Sequence, residues 1–448
     1  MKVSKWKHKN LFKLEIYYYV TLFLFIFYLM QIVFSRYLEI NVFDSFLWVL
    51  SDGWCPPPTE SSFLKSHCFG DYGLTLHHFN QSNPWDEFSG LPVNPYPAVG
   101  YLTHFLFELI GNITNNSNIG QFLYILALTL SSFFPCVYIL KSSIHNKVMK
   151  VLILSPLAGT LLFAIDRGNA VVFTIPFIFL AFKSYLEDNL NKLLLFIVIL
   201  SILKPVFIIL LCIFILYKSY SKALLGLGLV SVVHFISFIQ FTDKNSIWFI
   251  LKRYLESLKY YSNYQSLETI YPYNISFTRG LVAWSNVITD LSQLESKSFL
   301  DFIILHKNLI SLIPLILISL LFYFFGSKLV VNKLGLFTFL LTVCISLSPI
   351  TYQYYLVVYI PILAHIFLLK YSKENEIEKT FLDIILHFTT VLMIAFSVIP
   401  VIWLKFYLND INNYLTTIFF VPFLIALYLI LFIIQTFRNS YFAYDFDE

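Results

Sequence analysis

The stretch that decides the fold runs from residue 151 to residue 182 and reads VLILSPLAGTLLFAIDRGNAVVFTIPFIFLAF. Two apolar runs, 151–165 and 170–182, flank the polar tetrapeptide DRGN. Each run is shorter than the roughly 20 residues that a membrane-spanning helix needs. Irregular backbone at membrane depth is tolerated only where it is buried in protein or lines a wet cavity. The stretch therefore predicts a broken membrane segment beside a site.

A second interruption follows the first along the chain. The apolar runs 193–203 and 206–217 are separated by Lys204 and Pro205. Because proline cannot continue a helix, the lysine is predicted to lie at a kink. Its ammonium either snorkels to the membrane interface or binds a phosphate as a point charge, and the sequence leaves both open.

The composition of the whole chain assigns the class of protein. The 448 residues are 58% hydrophobic and 12% charged, with a net charge of +4. This composition excludes an ordinary soluble enzyme and a disordered chain, and the small charge argues against nucleic-acid binding. We predict an all-α, polytopic membrane protein with about twelve segments, several of them short or broken. The segments are 14–35, 119–140, 151–165, 170–182, 193–203, 206–217, 223–241, 308–325, 334–348, 356–369, 381–403 and 414–436.

The distribution of lysines predicts the orientation. Lysine-rich connections alternate along the chain and are assigned to the cytoplasm together with both termini, as expected for an integral protein of a bacterial plasma membrane. The remaining polar clusters then fall on the outer face, which predicts an outward-facing site. We expect one domain, 1–448, with outer loops 36–94 and 242–306 and an interfacial helix at 95–111.

Acidic residues of the first outer loop are candidates for acid–base chemistry. Asp44 lies among aromatic residues just beyond the first segment, where partial desolvation favours a general base. Asp52 and Asp71 in the same loop are the fallback candidates. Cys55 and Cys68 also share this loop and could pair in an oxidising compartment.

The tetrapeptide supplies candidate binding residues. Placing Arg167 at membrane depth costs roughly 2.5 to 3.5 kcal/mol, which pairing with Asp166 would reduce. The two residues form either a structural ion pair or a site in which the guanidinium binds a lipid-linked phosphate. Asn169 can cap the next helix or bond a sugar hydroxyl.

Further polar groups suited to sugar recognition follow later in the chain. Tyrosine is also the usual residue of the interfacial belt, so these polar residues taken together are better evidence for sugar recognition than any one tyrosine. Neither a metal-ligand spacing nor a phosphate-binding glycine loop occurs, so no metal and no cofactor are predicted. The candidates are Asn274, Ser348, Thr351, Gln353 and Tyr354.

In this order, the elements resemble those of C-type membrane glycosyltransferases, and more narrowly glycosyltransferase family 87, the polyprenyl-phosphate-mannose-dependent mannosyltransferases. The resemblance rests on the outer-loop acid Asp44, the Tyr-Pro element at 96–97, the DRGN tetrapeptide, Lys204-Pro205, and the Ser-Pro-Ile-Thr element at 348–351. It covers most of the chain, and the tetrapeptide is its most specific part.

The resemblance implies a hexosyltransferase that uses a polyprenyl-phosphate sugar. Asp44 would deprotonate a hydroxyl of a glycan or glycolipid acceptor, which would displace the phosphate with inversion. Arg167 and Lys204 would stabilise the leaving phosphate. Where family members often carry histidine, this chain has Gln353 and Tyr354, so the sugar, mannose or another hexose, is left open.

Two other functions remain as alternatives. A surface-polysaccharide polymerase also has many helices and large outer loops. A lipid-linked glycan transporter would need ionisable residues near the midplane of several helices. The long apolar runs 308–325 and 381–403 carry almost no charge, which argues against the transporter.

Overall fold

The computed structural model describes part of the chain, and all of that part's regular structure is helical. Helix accounts for 87% of the described residues, which contain no strand, so the predicted all-α class is confirmed for them. The described residues are 71–72, 75, 83–85, 96–141, 161, 164–165, 168–242, 246–263, 316, 319–320, 333–347, 353–362, 430 and 434.

Within the described residues, the helices follow the apolar runs of the sequence closely, whereas the predicted segments 14–35 and 381–403, and most of 151–165, 308–325 and 414–436, lie outside those residues. The α-helices are α1 (Leu102–Ile113), α2 (Ser117–Lys141), α3 (Thr174–Leu186), α4 (Leu190–Leu203), α5 (Cys212–Leu216), α6 (Tyr220–Ile239), α7 (Ile247–Asn263) and α8 (Lys333–Leu347). Short 3-10 helices occupy Ala98–Tyr101, Ala170–Phe173, Pro205–Leu211 and Gln353–Tyr359.

Helices α1 and α2 are joined by a tight turn and pack against each other. Asn115 takes a positive φ of 51° in this turn, a conformation that asparagine adopts more readily than most residues. One side of α1 is exposed through Leu102, Leu106 and Leu109, whereas His104 is buried. Helical structure therefore runs from Ala98 to Ile113, and the interfacial helix predicted at 95–111 stays a prediction.

The backbone breaks at the tetrapeptide, as predicted. Gly168 has a positive φ of 66°, which glycine adopts without steric cost. Its amide donates to the Ile165 carbonyl at 2.9 Å, and the Asn169 amide donates to the Ala164 carbonyl at 3.0 Å. The Asn169 side chain then accepts from the Val171 amide at 2.9 Å and caps the next 3-10 helix.

The second predicted break is also present, at Lys204. Helix α4 ends at Leu203, and Lys204 is extended with φ −145° and ψ 109°. Pro205 opens the next 3-10 helix and has no N–H to donate to the Ser201 carbonyl four residues earlier. His234 Nε2 on α6 lies 3.2 Å from that carbonyl oxygen and supplies the missing donor.

The core is built where α3, α4, the 3-10 helix Pro205–Leu211 and α8 meet. The rings of Phe182 and Phe337 lie 4.9 Å apart there, and both side chains are fully buried. Buried hydroxyls bond carbonyls of their own helices, as when Ser201 donates to Ile197 and Thr338 donates to Leu334. Such bonds satisfy polar groups without a partner from water.

Helix α6 contrasts with this core because most of its apolar side chains are exposed. It is the one helix among the described residues that is long and apolar enough to cross a membrane. Only 17% of its most apolar stretch of 18 residues is buried inside the protein. The shorter apolar helices include α3, α4 and α8.

Two glycines of α6 provide a matched test of its packing against α4. A Cβ on Gly226 would lie 2.7 Å from Leu211 Cδ2 and 2.9 Å from Leu194 Cδ1, whereas one on Gly228 would meet nothing within 4 Å. We expect Gly228→Ala to raise the free energy of unfolding by about 0.5–1 kcal/mol through helix propensity. Gly226→Ala should be about 0.5–1.5 kcal/mol less stable than Gly228→Ala, because the ends of Leu211 and Leu194 would have to leave their preferred rotamers. Unfolding of both variants in detergent micelles measures this, and equal stabilities would contradict the close contact.

The predicted outer loop 242–306 contains an unpredicted helix, α7. Its inner side packs on an aromatic cluster around Trp85, whose indole N–H donates to the Tyr96 carbonyl at 2.9 Å. Phe238 and Phe241 from the end of α6 each lie 5.2 Å from the Trp85 ring. Helix α7 therefore begins where the candidate spanning helix ends.

At the opposite end of α6, Lys333 connects α8 to the turn between α3 and α4. Its ammonium donates to Asp188 Oδ2 at 2.5 Å and to the Leu186 carbonyl at 3.3 Å. The bond from Lys333 lowers the pKa of Asp188 below its ordinary value. Because the folded pKa is depressed, this contact stabilises the fold above about pH 4 and is lost as the pH falls through the folded pKa.

Candidate functional site

The two chain breaks bring their polar residues into one cluster with Asp71, which belongs to the predicted loop 36–94. Asn169 Nδ2 donates to Asp71 Oδ2 at 2.7 Å and to the Tyr96 hydroxyl at 3.3 Å. The Asn169 oxygen is already occupied by the Val171 amide. The tetrapeptide turn therefore fixes the amide that holds the Asp71 carboxylate.

The side chain of Lys204 is buried in the same cluster. It is 6% exposed, and its Nζ lies 4.4 Å from the centroid of the Tyr96 ring and 5.5 Å from that of Tyr355. Cation–π contact with these two faces stabilises the ammonium away from bulk water. The Lys204 charge also interacts with that of Asp71. Within the described part of the chain, the contacts of the ammonium are with these two rings. We call Asp71, Tyr96, Asn169, Lys204 and Tyr355 the polar cluster.

A buried histidine and tyrosine anchor the turn from behind. The Tyr124 hydroxyl donates to the Gly168 carbonyl at 2.8 Å and lies 3.2 Å from His104 Nε2. Because this hydroxyl has a single proton, which goes to Gly168, His104 Nε2 carries the hydrogen of the second bond. The Thr103 hydroxyl lies 3.1 Å from His104 Nδ1. Helices α1 and α2 thus fix the turn that carries Asn169.

The predicted binding residues that the structure describes fall into two groups. Asn169 and Lys204 belong to the polar cluster, together with the fallback acid Asp71. Gln353 and Tyr354 begin a 3-10 helix that packs on the segment Ala170–Phe173. The remaining predicted residues, Asp44, Asp166, Arg167, Asn274, Ser348 and Thr351, lie outside the described residues, as do Cys55 and Cys68.

Sequence reasoning missed three residues around the cluster, namely His104, Tyr124 and Tyr355. A weak signal existed for His104, because it lies on the side of α1 opposite the exposed leucines. Tyr124 is one of several polar residues in α2, so nothing in its local sequence distinguishes it. Tyr355 directly follows the predicted sugar-binding residue Tyr354, but nothing in the sequence connects it with Lys204.

The comparisons with known proteins add no relative. Neither the protein-family models, nor the curated proteins, nor the solved structures contain a match to this chain.

The cluster combines a proton acceptor with a buried positive charge. The Asp71 carboxylate can accept a proton, and the Lys204 ammonium can neutralise an anion. Tyr96 and Asn169 add neutral donors between them. Among the described residues there is no group of three or more His, Cys, Asp and Glu that could hold a metal ion. This arrangement is suited to moving a proton beside a bound anion.

Proposed function

We propose that this protein is a membrane glycosyltransferase that acts on the outer face of a bacterial plasma membrane. It transfers a hexose from a polyprenyl-phosphate donor to a hydroxyl of a glycan or glycolipid, with inversion at the anomeric carbon. The observation that carries the proposal is that Asp71, held by Asn169, lies close enough to the buried Lys204 for their charges to interact. A carboxylate and a cation in one cluster match the two tasks of this transfer, deprotonation and leaving-group stabilisation.

Membrane insertion is supported by composition and by exposure. The chain is 58% hydrophobic and 12% charged. Helix α6 leaves large apolar side chains exposed along its length, including Leu224, Leu225 and Val232. In water such a surface would be costly, whereas in lipid it is the expected one. The proposal places about twelve segments in the membrane, with both termini in the cytoplasm.

Donor binding is assigned to Lys204. A buried ammonium is more costly to leave without an anion than an exposed one, and a phosphate supplies strong acceptor oxygens. Arg167, one residue before the Gly168 turn, is proposed as a second phosphate ligand on the resemblance to family 87. Tyr96 and Tyr355 flank the ammonium and present hydroxyl groups suited to a sugar.

The base is assigned to an outer-loop carboxylate. Asp71 has the supporting geometry, because Asn169 fixes one of its oxygens. Asp44 stays the prediction made from the resemblance, and the two acids are separated by mutation. The acceptor hydroxyl gives its proton to the carboxylate as its oxygen bonds to the anomeric carbon. The bond from that carbon to the phosphate oxygen breaks, and its electron pair leaves on the phosphate beside Lys204.

Lys204→Met tests the proposal because it removes the charge and keeps the length of the side chain. Charged hydrogen bonds contribute about 1.5–3 kcal/mol, so the KM for the donor should rise about 10- to 100-fold with the acceptor KM little changed. The measurement uses membranes and radiolabelled polyprenyl-phosphate hexoses. Lys192→Met removes an exposed lysine and serves as the matched control.

Two results would overturn the proposal. An unchanged donor KM in Lys204→Met would remove the phosphate role from the cluster. Transfer of whole oligosaccharides, with no transfer from any polyprenyl-phosphate hexose, would identify the surface-polysaccharide polymerase instead.

A further inference from the structure

Helix α7 carries a surface that the proposed chemistry does not use. Its inner side is anchored, since Ile250 is fully buried and Tyr254 packs 5.7 Å from the Trp85 ring. Its outer side is exposed through large apolar residues, with Trp248 at 73% and Leu255 at 62% exposure. A soluble helix anchored in this way would be expected to turn polar groups outward.

Basic residues lie beside these exposed apolar side chains. Helix α7 carries three basic residues and one acidic residue, so its net charge is +2. The basic residues are Lys252, Arg253 and Lys259, and the acidic residue is Glu256. Glu256 lies 3.8 Å from Lys252 and 3.2 Å from Arg253. No acidic side chain of α7 lies within one turn N-terminal of Lys252.

The helical period puts the apolar and basic groups on one side. At 3.6 residues per turn, Trp248, Leu255, Lys252 and Lys259 fall within about 60° of one another around the α7 axis. An indole and a leucine next to two long cationic side chains are typical of helices that lie in the membrane interface. Lysine can keep its ammonium among headgroups while its stem covers apolar surface.

The position of α7 agrees with this surface. The helix follows four residues after the turn that ends α6, the candidate spanning helix, and packs on Phe238 and Phe241 at its end. The end of a spanning helix lies at the level of the headgroups. Trp248 and its basic neighbours are therefore presented at the depth where anionic lipids carry their phosphates.

We propose that α7 lies along the outer face of the plasma membrane, at the level of the lipid headgroups. There it binds the phosphates of anionic lipids through Lys252 and Lys259, with Trp248 and Leu255 inserted among the acyl chains. This inference rests on the membrane location in the proposed function and is independent of the sugar-transfer chemistry. Charge complementarity and the exposed apolar edge favour a lipid surface over an acidic protein, which would not need the inserted indole.

The test uses the full chain in nanodiscs with brominated phosphatidylcholine or brominated phosphatidylglycerol at equal mole fractions. The signal of Trp248 is the fluorescence of the wild type minus that of Trp248→Phe. We expect quenching by both lipids, with phosphatidylglycerol about 3-fold more effective, since each basic residue near the surface attracts anionic lipid. In Lys252→Gln/Lys259→Gln this ratio should fall to about 1.

The matched control is Lys183→Gln/Lys192→Gln, which removes two lysines near the other end of α6 and should leave the ratio unchanged. Absence of quenching by either lipid would overturn the interfacial placement and leave this surface to a protein partner. An equal effect of the two lipids on the wild type would overturn the phosphate binding. Selective quenching in a protein that transfers no sugar would overturn the proposed function and leave this inference standing.

Discussion

Asp71→Asn is expected to lower the rate of sugar transfer by about 10²- to 10⁴-fold, the usual contribution of a general base. The change removes the proton acceptor and keeps the shape of the side chain. An amide oxygen at position 71 can still accept from Asn169 Nδ2, so the local fold should survive. Donor binding in the proposed function should stay equal or tighten, because the negative charge of Asp71 interacts with Lys204 and opposes a bound phosphate.

Single-turnover transfer and donor binding measured on the same membranes separate these two effects. Asp44→Asn is the comparison variant, since both acids belong to the loop predicted at 36–94. Full activity of Asp71→Asn together with an inactive Asp44→Asn would assign the base to Asp44 and leave Asp71 as the counter-ion of Lys204. Asn169→Ala should give a smaller loss than Asp71→Asn, because it releases the carboxylate without removing it.

Gly120→Ala is expected to destabilise the protein more than alanine at Gly226 or Gly228 does. A Cβ on Gly120 would overlap the Phe107 carbonyl oxygen and lie 3.2 Å from the Gly111 amide nitrogen. Backbone cannot move aside as the end of a leucine can, so α1 and α2 must separate. Overpacking of this kind costs typically about 1–3 kcal/mol and occasionally more.

Thermal unfolding in detergent micelles measures the loss, with Gly228→Ala as the control at an open helical position. Separation of α1 from α2 would also disturb the pair formed by His104 and Tyr124, which anchors the Gly168 turn. Donor binding should therefore weaken along with stability. Wild-type stability of Gly120→Ala would contradict the close contact between Gly120 of α2 and the Phe107 carbonyl of α1.

The helix breaks were predictable because their causes are local. Glycine at a left-handed position ends one helix, and Pro205 cannot donate to the turn before it, so both breaks are encoded within a few residues. Helix α7 was not predicted, because its lysines and glutamate lower the average hydropathy to that of a loop. Its apolar residues nevertheless recur at helical spacing, and that periodicity is the signal that could have identified it.

The candidate site was predictable only in part, for a physical reason. Lys204 and Asn169 stood out because polar groups between apolar runs are expensive unless they have a use. Choosing Asp71 over Asp44 depends on a contact with Asn169, 98 residues away in the chain. His104 and Tyr124 likewise matter through one tertiary contact to a backbone carbonyl. Such contacts between residues far apart in the chain arise from tertiary packing, and they cannot be predicted from the hydropathy or the spacing of residues.

The bond from His234 to the Ser201 carbonyl connects the kink that carries the buried Lys204 to a neighbouring helix, α6. A proline kink usually behaves as a hinge, because one backbone hydrogen bond of the helix is missing. Here His234 of α6 bonds the carbonyl that Pro205 leaves without a donor, so bending at Pro205 would break a bond to a different helix. This bond fixes the segment that carries Lys204 to α6. In the proposed function, a lipid-linked donor would then meet a charge whose position does not depend on bending at Pro205.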